Sequence, residues 1–153
     1  MTTYVVIGDL MMDVTATICR PIALGSDTAA TLSLQAGGSA ANAARWLAWS
    51  GRRTVLLGCI GRDPLGDLAT QALLDAGVQP RLVITPGRTG AGVVIVEPNG
   101  ERTMFPDAGA NTLLRPTNLP SDVFTAGDHL HLSGYTLLRE ASHDAGMAAC
   151  HRA

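Results

Sequence analysis

An α/β fold built on a mainly parallel sheet is what this chain predicts, and three observations predict it. Short apolar runs rich in β-branched residues recur at Tyr4-Val5-Val6-Ile7, Thr54-Val55-Leu56-Leu57 and Val83-Ile84-Thr85. Helix-forming stretches at 39–50 and 64–76 separate them. Each helical stretch is closed by a glycine, Gly51 or Gly77, as a helix C-terminus favours. Strand, helix, strand, helix, strand is the βαβ order, which sets parallel strands side by side beneath covering helices.

The elements follow in order. Tyr4–Ile7, ending at Gly8, reads as a buried strand, because both faces of a parallel sheet are covered. Asp9 and Asp13 come next, with Leu10, Met11 and Met12 between them. Residues 14–19 and 31–35 alternate and are rich in β-branched side chains, with Pro21 and Gly25-Ser26-Asp27 as a loop between. They predict an antiparallel pair set apart from the main sheet. The helix over 39–50 puts alanines, Trp46 and Leu47 on one face. Asp63-Pro64 opens the second helix, with Asp63 as N-cap and proline at the first helical position. Residues 92–96 and 102–105 flank Asn99-Gly100, a strong hairpin signal. His129–Ser133 reads as a further strand, after a loop around Pro116 and Pro120. From Arg139 the pattern is helical, with Ala141, Ala145, Ala148 and Ala149 on one face. No stop signal follows and no strand receives its crossover. That ending reads as the first half of a longer enzyme, with a terminal βα unit as the alternative.

Composition narrows the chemistry. All eleven basic side chains are arginine, and lysine is absent. A phosphate-binding Walker loop, a protein kinase and a pyridoxal enzyme each need a lysine, so these classes are excluded. A chain of 153 residues is one domain's worth, and at 46% apolar it can bury a sizeable core. A net charge of −2, a pI near 6.0 and only two each of Trp, Tyr and Phe argue against a nucleic-acid partner. Cys19, Cys59 and Cys150 are far apart and odd in number, which points to a reduced, cytoplasmic setting. The N-terminus lacks a signal peptide's charged lead, and no apolar run approaches the ~18 residues of a membrane span.

Three blocks carry a family likeness. The first is Val6-Ile7-Gly8-Asp9-Leu10-Met11-Met12-Asp13, a strand leading to a carboxylate. The second is Ala36-Gly37-Gly38-Ser39-Ala40-Ala41-Asn42-Ala43-Ala44, followed by Gly51, Gly58-Cys59-Ile60-Gly61-Arg62-Asp63 and Gly66. The third is Asp107-Ala108-Gly109-Ala110-Asn111, then His131-Leu132-Ser133-Gly134-Tyr135. With these residues in this order, the chain resembles the ribokinase-like (PfkB) carbohydrate kinases from Met1 to Ala153. The resemblance implies a doubly wound sheet flanked by helices, a small β-sheet lid over a sugar site, and a missing C-terminal half. The lid strands would fall at roughly 14–36 and 90–105.

The same resemblance implies that Asp13, Gly38 and Asn42 contact a sugar, and the residue types suit that task. An ionised carboxylate accepts from two hydroxyls, and an amide offers both a donor and an acceptor. Gly37 and Gly38 let the backbone approach a ligand closely. Asp9 is read equally as a capping or turn residue and as a ligand contact. Ser39 stands where some sugar kinases of the family carry lysine. The implied reaction is transfer of the γ-phosphoryl group of ATP to a sugar hydroxyl, with ATP and Mg2+ bound mostly outside this chain. A nucleoside substrate is the nearest rival, and a non-catalytic fragment or split subunit is the other alternative. A homodimer through the lid strands is expected.

No catalytic base and no metal ligand are assigned here. The family's Gly-Ala-Gly-Asp and Asn-x-x-Glu motifs are absent from the sequence. Thr125-Ala126-Gly127-Asp128 imitates the first, but it leads into a strand instead of opening a helix, so it reads as a turn closing on Asp128. His129 and His131 share a strand face without a third ligand nearby, and His143 and His151 read as polar-face residues. The glycines at 87, 90 and 92 are a loose pattern before a strand, not a dinucleotide fingerprint.

Overall fold

The computed structural model describes residues 2–153. Two four-stranded sheets organise it. The first has the order β5-β4-β1-β8, from β1 (Thr3–Ile7), β4 (Arg53–Gly61), β5 (Gln79–Thr85) and β8 (His129–Leu132). All three of its pairings are parallel. The second has the order β3-β2-β6-β7, from β2 (Met11–Ile18), β3 (Ala30–Gly37), β6 (Gly90–Val96) and β7 (Arg102–Asp107).

Alternation along the parallel strands divides the core into two layers. Val5, Ile7, Val55, Leu57 and Cys59 point to one face, against Ala110, Leu114, Leu119 and Val123 and the α4 helix (Glu140–Arg152). Val6, Leu56 and Ile60 point to the other, against α1 (Ser39–Trp49) and α2 (Pro64–Asp75). Small residues, Ala40, Ala41, Ala44 and Ala69, let both helices lie close on the sheet. Each fully buried large aliphatic side chain here contributes about 1.5–3 kcal/mol. A short helix, α3 (Gly134–Leu138), links β8 to α4.

The local signals act as expected. The Asp63 carboxylate caps α2 by accepting from the Gly66 N–H at 2.9 Å. Gly51 and Gly77 follow α1 and α2 with φ of 80° and 77°. Gly100, at φ 86°, turns the β6–β7 hairpin. In α4, Ala145 and Ala149 are buried, but Ala141 is exposed and does not share their face as the sequence suggested.

The two lid pairs form one small sheet, as the resemblance implies: β2–β3 and β6–β7 are antiparallel, and β2 and β6 join them in parallel. Two expectations need correction. The lid strands run further than read, because β2 starts at Met11, β3 ends at Gly37 and β7 ends at Asp107. Finally, Trp46 does not share the buried face of α1. It is exposed, with its ring edge-on to Trp49 at 5.3 Å. The loop around Pro116 and Pro120 contains three 3-10 turns between Gly109 and Val123.

Candidate functional site

A cleft of about 550 Å³ opens between the two sheets. Its walls are the β1–β2 connection and β2 (Asp9, Met11, Asp13), the start of α1 (Gly38, Ser39, Asn42), the β6–β7 hairpin (Gly92, Met104, Phe105, Pro106), and Tyr135 and Arg139. The volume suits a small ligand, for which pockets of ~300–1,000 Å³ are usual.

Asp13 lies inside β2, in register with Gln35 on β3 and Gly92 on β6, and not just past a strand end as the sequence suggested. Val14 to Cys19 carries the β-branched pattern, which hid a strand that begins at Met11. Two glycines make room for the carboxylate. A Cβ at Gly37 would collide with Asp13 Oδ2, and a Cβ at Gly92 would stand 2.8 Å from its Oδ1. Gly37 therefore borders Asp13 rather than the open cleft. Burial and the nearby Asp9 carboxylate hold the Asp13 carboxyl above its ordinary range.

Asp9 is almost fully buried and bonded on both oxygens. Its Oδ2 accepts from the Ser39 N–H at 2.6 Å and its Oδ1 from the Ser133 hydroxyl at 2.7 Å. It supplies the cap that Gly38, the N-cap residue of α1, cannot supply from a side chain. Gly38 has φ 98°, and a Cβ there would meet the Asp9 carbonyl at 2.6 Å. The backbone thus folds tightly over Asp9, and α1 begins beside Asp13. Asn42, one turn into the helix, is exposed at the cleft.

Two supports fix the walls. Asn111 clamps the β1–β2 connection: its Oδ1 accepts from the Leu10 N–H and its Nδ2 donates to the Leu10 carbonyl, both at 3.0 Å. Asp63 ties α2 to the entry of β6, accepting from the Thr89 N–H and hydroxyl, each at 2.7 Å. These bonds, the Thr89 hydroxyl first, draw the Asp63 carboxyl below its ordinary range.

The other sequence candidates lie elsewhere. A turn does close on Asp128, through the Asp128 N–H to the Thr125 carbonyl at 3.0 Å, and the Asp128 carboxylate accepts from the Thr3 N–H at 2.7 Å. Among the described residues, no three His, Cys, Asp or Glu side chains converge as a metal site would require. No described helix is long and apolar enough to cross a membrane. Sequence reasoning missed Gly92, Met104, Phe105 and Arg139 as wall residues, and it missed the clamping role of Asn111.

Comparison with known proteins fits this geometry. The "pfkB family carbohydrate kinase" pattern matches residues 1–153. An "ATP-dependent ribose-1-phosphate kinase" of Halopiger xanaduensis is 31% identical over 129 residues, 82% of this chain and 44% of that protein. The fold of a fructokinase from Xylella fastidiosa superposes with a TM-score of 0.84 at 22% identity, over 99% of this chain and 49% of that one. A fructokinase from Vibrio cholerae gives 0.81 at 27% identity, over 99% and 50%. The chain spans about half the length of these relatives. With the family pattern matched from the first residue to the last, the chain belongs to the pfkB family of carbohydrate kinases.

Proposed function

We propose that this chain is the substrate-binding part of an ATP-dependent sugar kinase and that the cleft between the sheets holds the sugar. The observation that carries the reading is the placement of Asp13. A carboxylate with glycines on both sides, facing the start of α1 and Asn42, is built to accept hydrogen bonds from vicinal hydroxyls. Gly38 brings backbone to the cleft wall. Asp9 and Gly37 hold the arrangement from behind. The whole enzyme transfers the γ-phosphoryl group of ATP to a sugar hydroxyl.

The described residues do not fit ATP or Mg2+. No lysine is present, no acidic cluster gathers, and the start of α1 already serves Asp9. Used alone, this chain binds substrate without turning it over, and the phosphate-binding and base groups come from elsewhere. The names of the relatives support a sugar or sugar phosphate over a nucleoside.

Self-association through the second sheet also belongs to this reading. Leu34, Val14, Val93 and Phe105 stand in register across all four strands and are exposed. Such an apolar row, with free edges at β3 and β7, invites a second copy. A dimer at micromolar concentration that Val14→Lys turns into monomer in sedimentation supports it; a wild-type monomer refutes it.

Calorimetric titration with ribose, fructose, their phosphates and adenosine tests the main proposal. A sugar should bind, Asp13→Ala should abolish the heat, and ATP with sugar should give no product. Turnover by this chain alone would overturn the division of labour. Failure of every sugar to bind would overturn the site.

A further inference from the structure

The cleft holds a cation that pairs with no carboxylate among the described residues. Two arginines of the chain are half-buried, Arg45 and Arg139. Arg45 donates to the Ala36 carbonyl at 3.1 Å. Arg139 stands at the N-terminus of α4 and lines the cleft, and its side chain donates to no oxygen among the described residues. Its guanidinium carbon lies 5.2 Å from the centre of the Tyr135 ring. That stacking fixes the group against the wall without occupying its N–H donors. The ion pairs among the described residues are Arg81–Asp122 and Arg88–Asp107, so neither Asp9 nor Asp13 neutralises Arg139.

Among the described residues no buried side-chain nitrogen lacks a partner, so the unbonded Arg139 nitrogens open to the cleft and their donors are free for a ligand. A planar fork of donors matches a phosphate or a carboxylate, which can accept from two of them at once. The usual alternative anion site, the start of α1, is engaged: Asp9 Oδ2 takes the Ser39 N–H and the Asp9 carbonyl takes the Ala41 N–H. Asp13, on the same cleft's wall, repels an anion and favours hydroxyls. The cleft therefore offers both a cation and a carboxylate, and a ligand that carries an anion as well as hydroxyls fits it.

We infer that the substrate is a sugar already bearing an anionic group, a phosphate or a carboxylate, and that Arg139 reads that group. The inference rests on the sugar-site reading of the cleft. Its discrimination has two parts: Arg139 attracts the anion, and Asp13 penalises the reversed orientation.

Calorimetric titration of this chain with ribose, ribose 1-phosphate, ribose 5-phosphate and ribonate tests it. At least one anionic ligand should bind about tenfold or more tighter than ribose, and added salt should erode the difference. The phosphates against ribonate identify which anion is meant. Arg139→Gln should remove the anionic advantage and leave ribose affinity within about twofold, while Arg139→Lys should retain part of it. Ribose binding as tightly as every anionic ligand overturns the inference and leaves the sugar site standing. So does an Arg139→Gln protein, with unchanged melting, that loses neutral and anionic ligands alike. Binding of none of the four overturns the inference, and the sugar site falls with it only if fructose and its phosphates fail as well.

Discussion

The Ser133 hydroxyl donates to Asp9 Oδ1 at 2.7 Å, across 124 positions of sequence. The bond joins the ends of β1 and β8, the adjacent parallel strands whose C-terminal ends face the cleft. In open α/β sheets, ligands gather at these strand ends. Asp9 thereby acts as a strut between the strand pair and α1.

Removing that strut should be costly. Asp9→Ala leaves the Ser39 N–H and the Ser133 hydroxyl without their acceptor, both beside a buried position. The expected loss is about 2–4 kcal/mol of unfolding free energy in urea. Ser133→Ala, which removes one donor and leaves the Ser39 bond, should cost less than half of this. Equal losses would contradict the strut.

Gly92→Ala tests the space around Asp13. The new methyl would press on Asp13 Oδ1, and the carboxylate can rotate away because Gly37 on its other side presents no side chain. Folding should suffer by only about 1 kcal/mol, the lower end of overpacking costs. Sugar affinity should fall about tenfold or more, since misplacement on the ångström scale is enough for that. A variant that binds normally would show that the Asp13 position is not used.

The two shifted carboxyls should respond to acid with opposite signs. For Asp13 the folded value is raised above the ordinary 3.8, by burial first and by Asp9 second. Its linked stability is complete below the unfolded value and is lost as pH rises through the folded one. Asp13→Asn should therefore be more stable than the wild type near neutral pH, and the gap should close in acid. For Asp63 the folded value is lowered, so its contribution is present above 3.8 and is lost as pH falls through the folded value. Asp63→Asn should be the less stable protein near neutral pH. Urea midpoints from pH 3 to 7 for both variants decide the signs.

The three cysteines should separate cleanly in a thiol titration. Burial pushes the Cys59 thiol up to about 11, against a weaker opposite pull from Arg115. Cys19 and Cys150 are exposed. A neutral disulfide reagent should consume these two rapidly and reach Cys59 only on unfolding, because the thiolate is the reactive form. Three equally fast thiols would contradict the packing of β4.

What could be read in the sequence was local. Asp63 before Pro64, and the glycines at 51, 77 and 100, act within a few residues of themselves, so spacing alone disclosed them. Asp13, Gly38 and Asn42 were proposed as ligand contacts from ordered motifs, which survive without knowledge of contacts, and the fold places all three on the cleft wall. The rest depends on distant pairings. Gly92 matters because β6 lies beside β2 in parallel, and no residue pattern announces that neighbour. Asn111 acts 101 positions away from Leu10. Arg139 reads as an ordinary helix-start residue until the fold brings it to Asp13's cleft. Trp46 misled because apolar periodicity does not say whether an aromatic faces the sheet or solvent.

The two ligand contacts proposed for the cleft lie on different elements, Asp13 on the second sheet and Asn42 on a helix packed against the first. A ligand that touches both is thermodynamically coupled to the angle between them. If only a fraction of molecules holds the two at bonding distance, apparent affinity falls by that fraction. The Asp63–Thr89 tie then governs recognition from outside the cleft, by setting how often the site exists in usable form. Loosening it should weaken every ligand by one common factor and leave the ranking among ligands intact, whereas changes at the walls reorder that ranking.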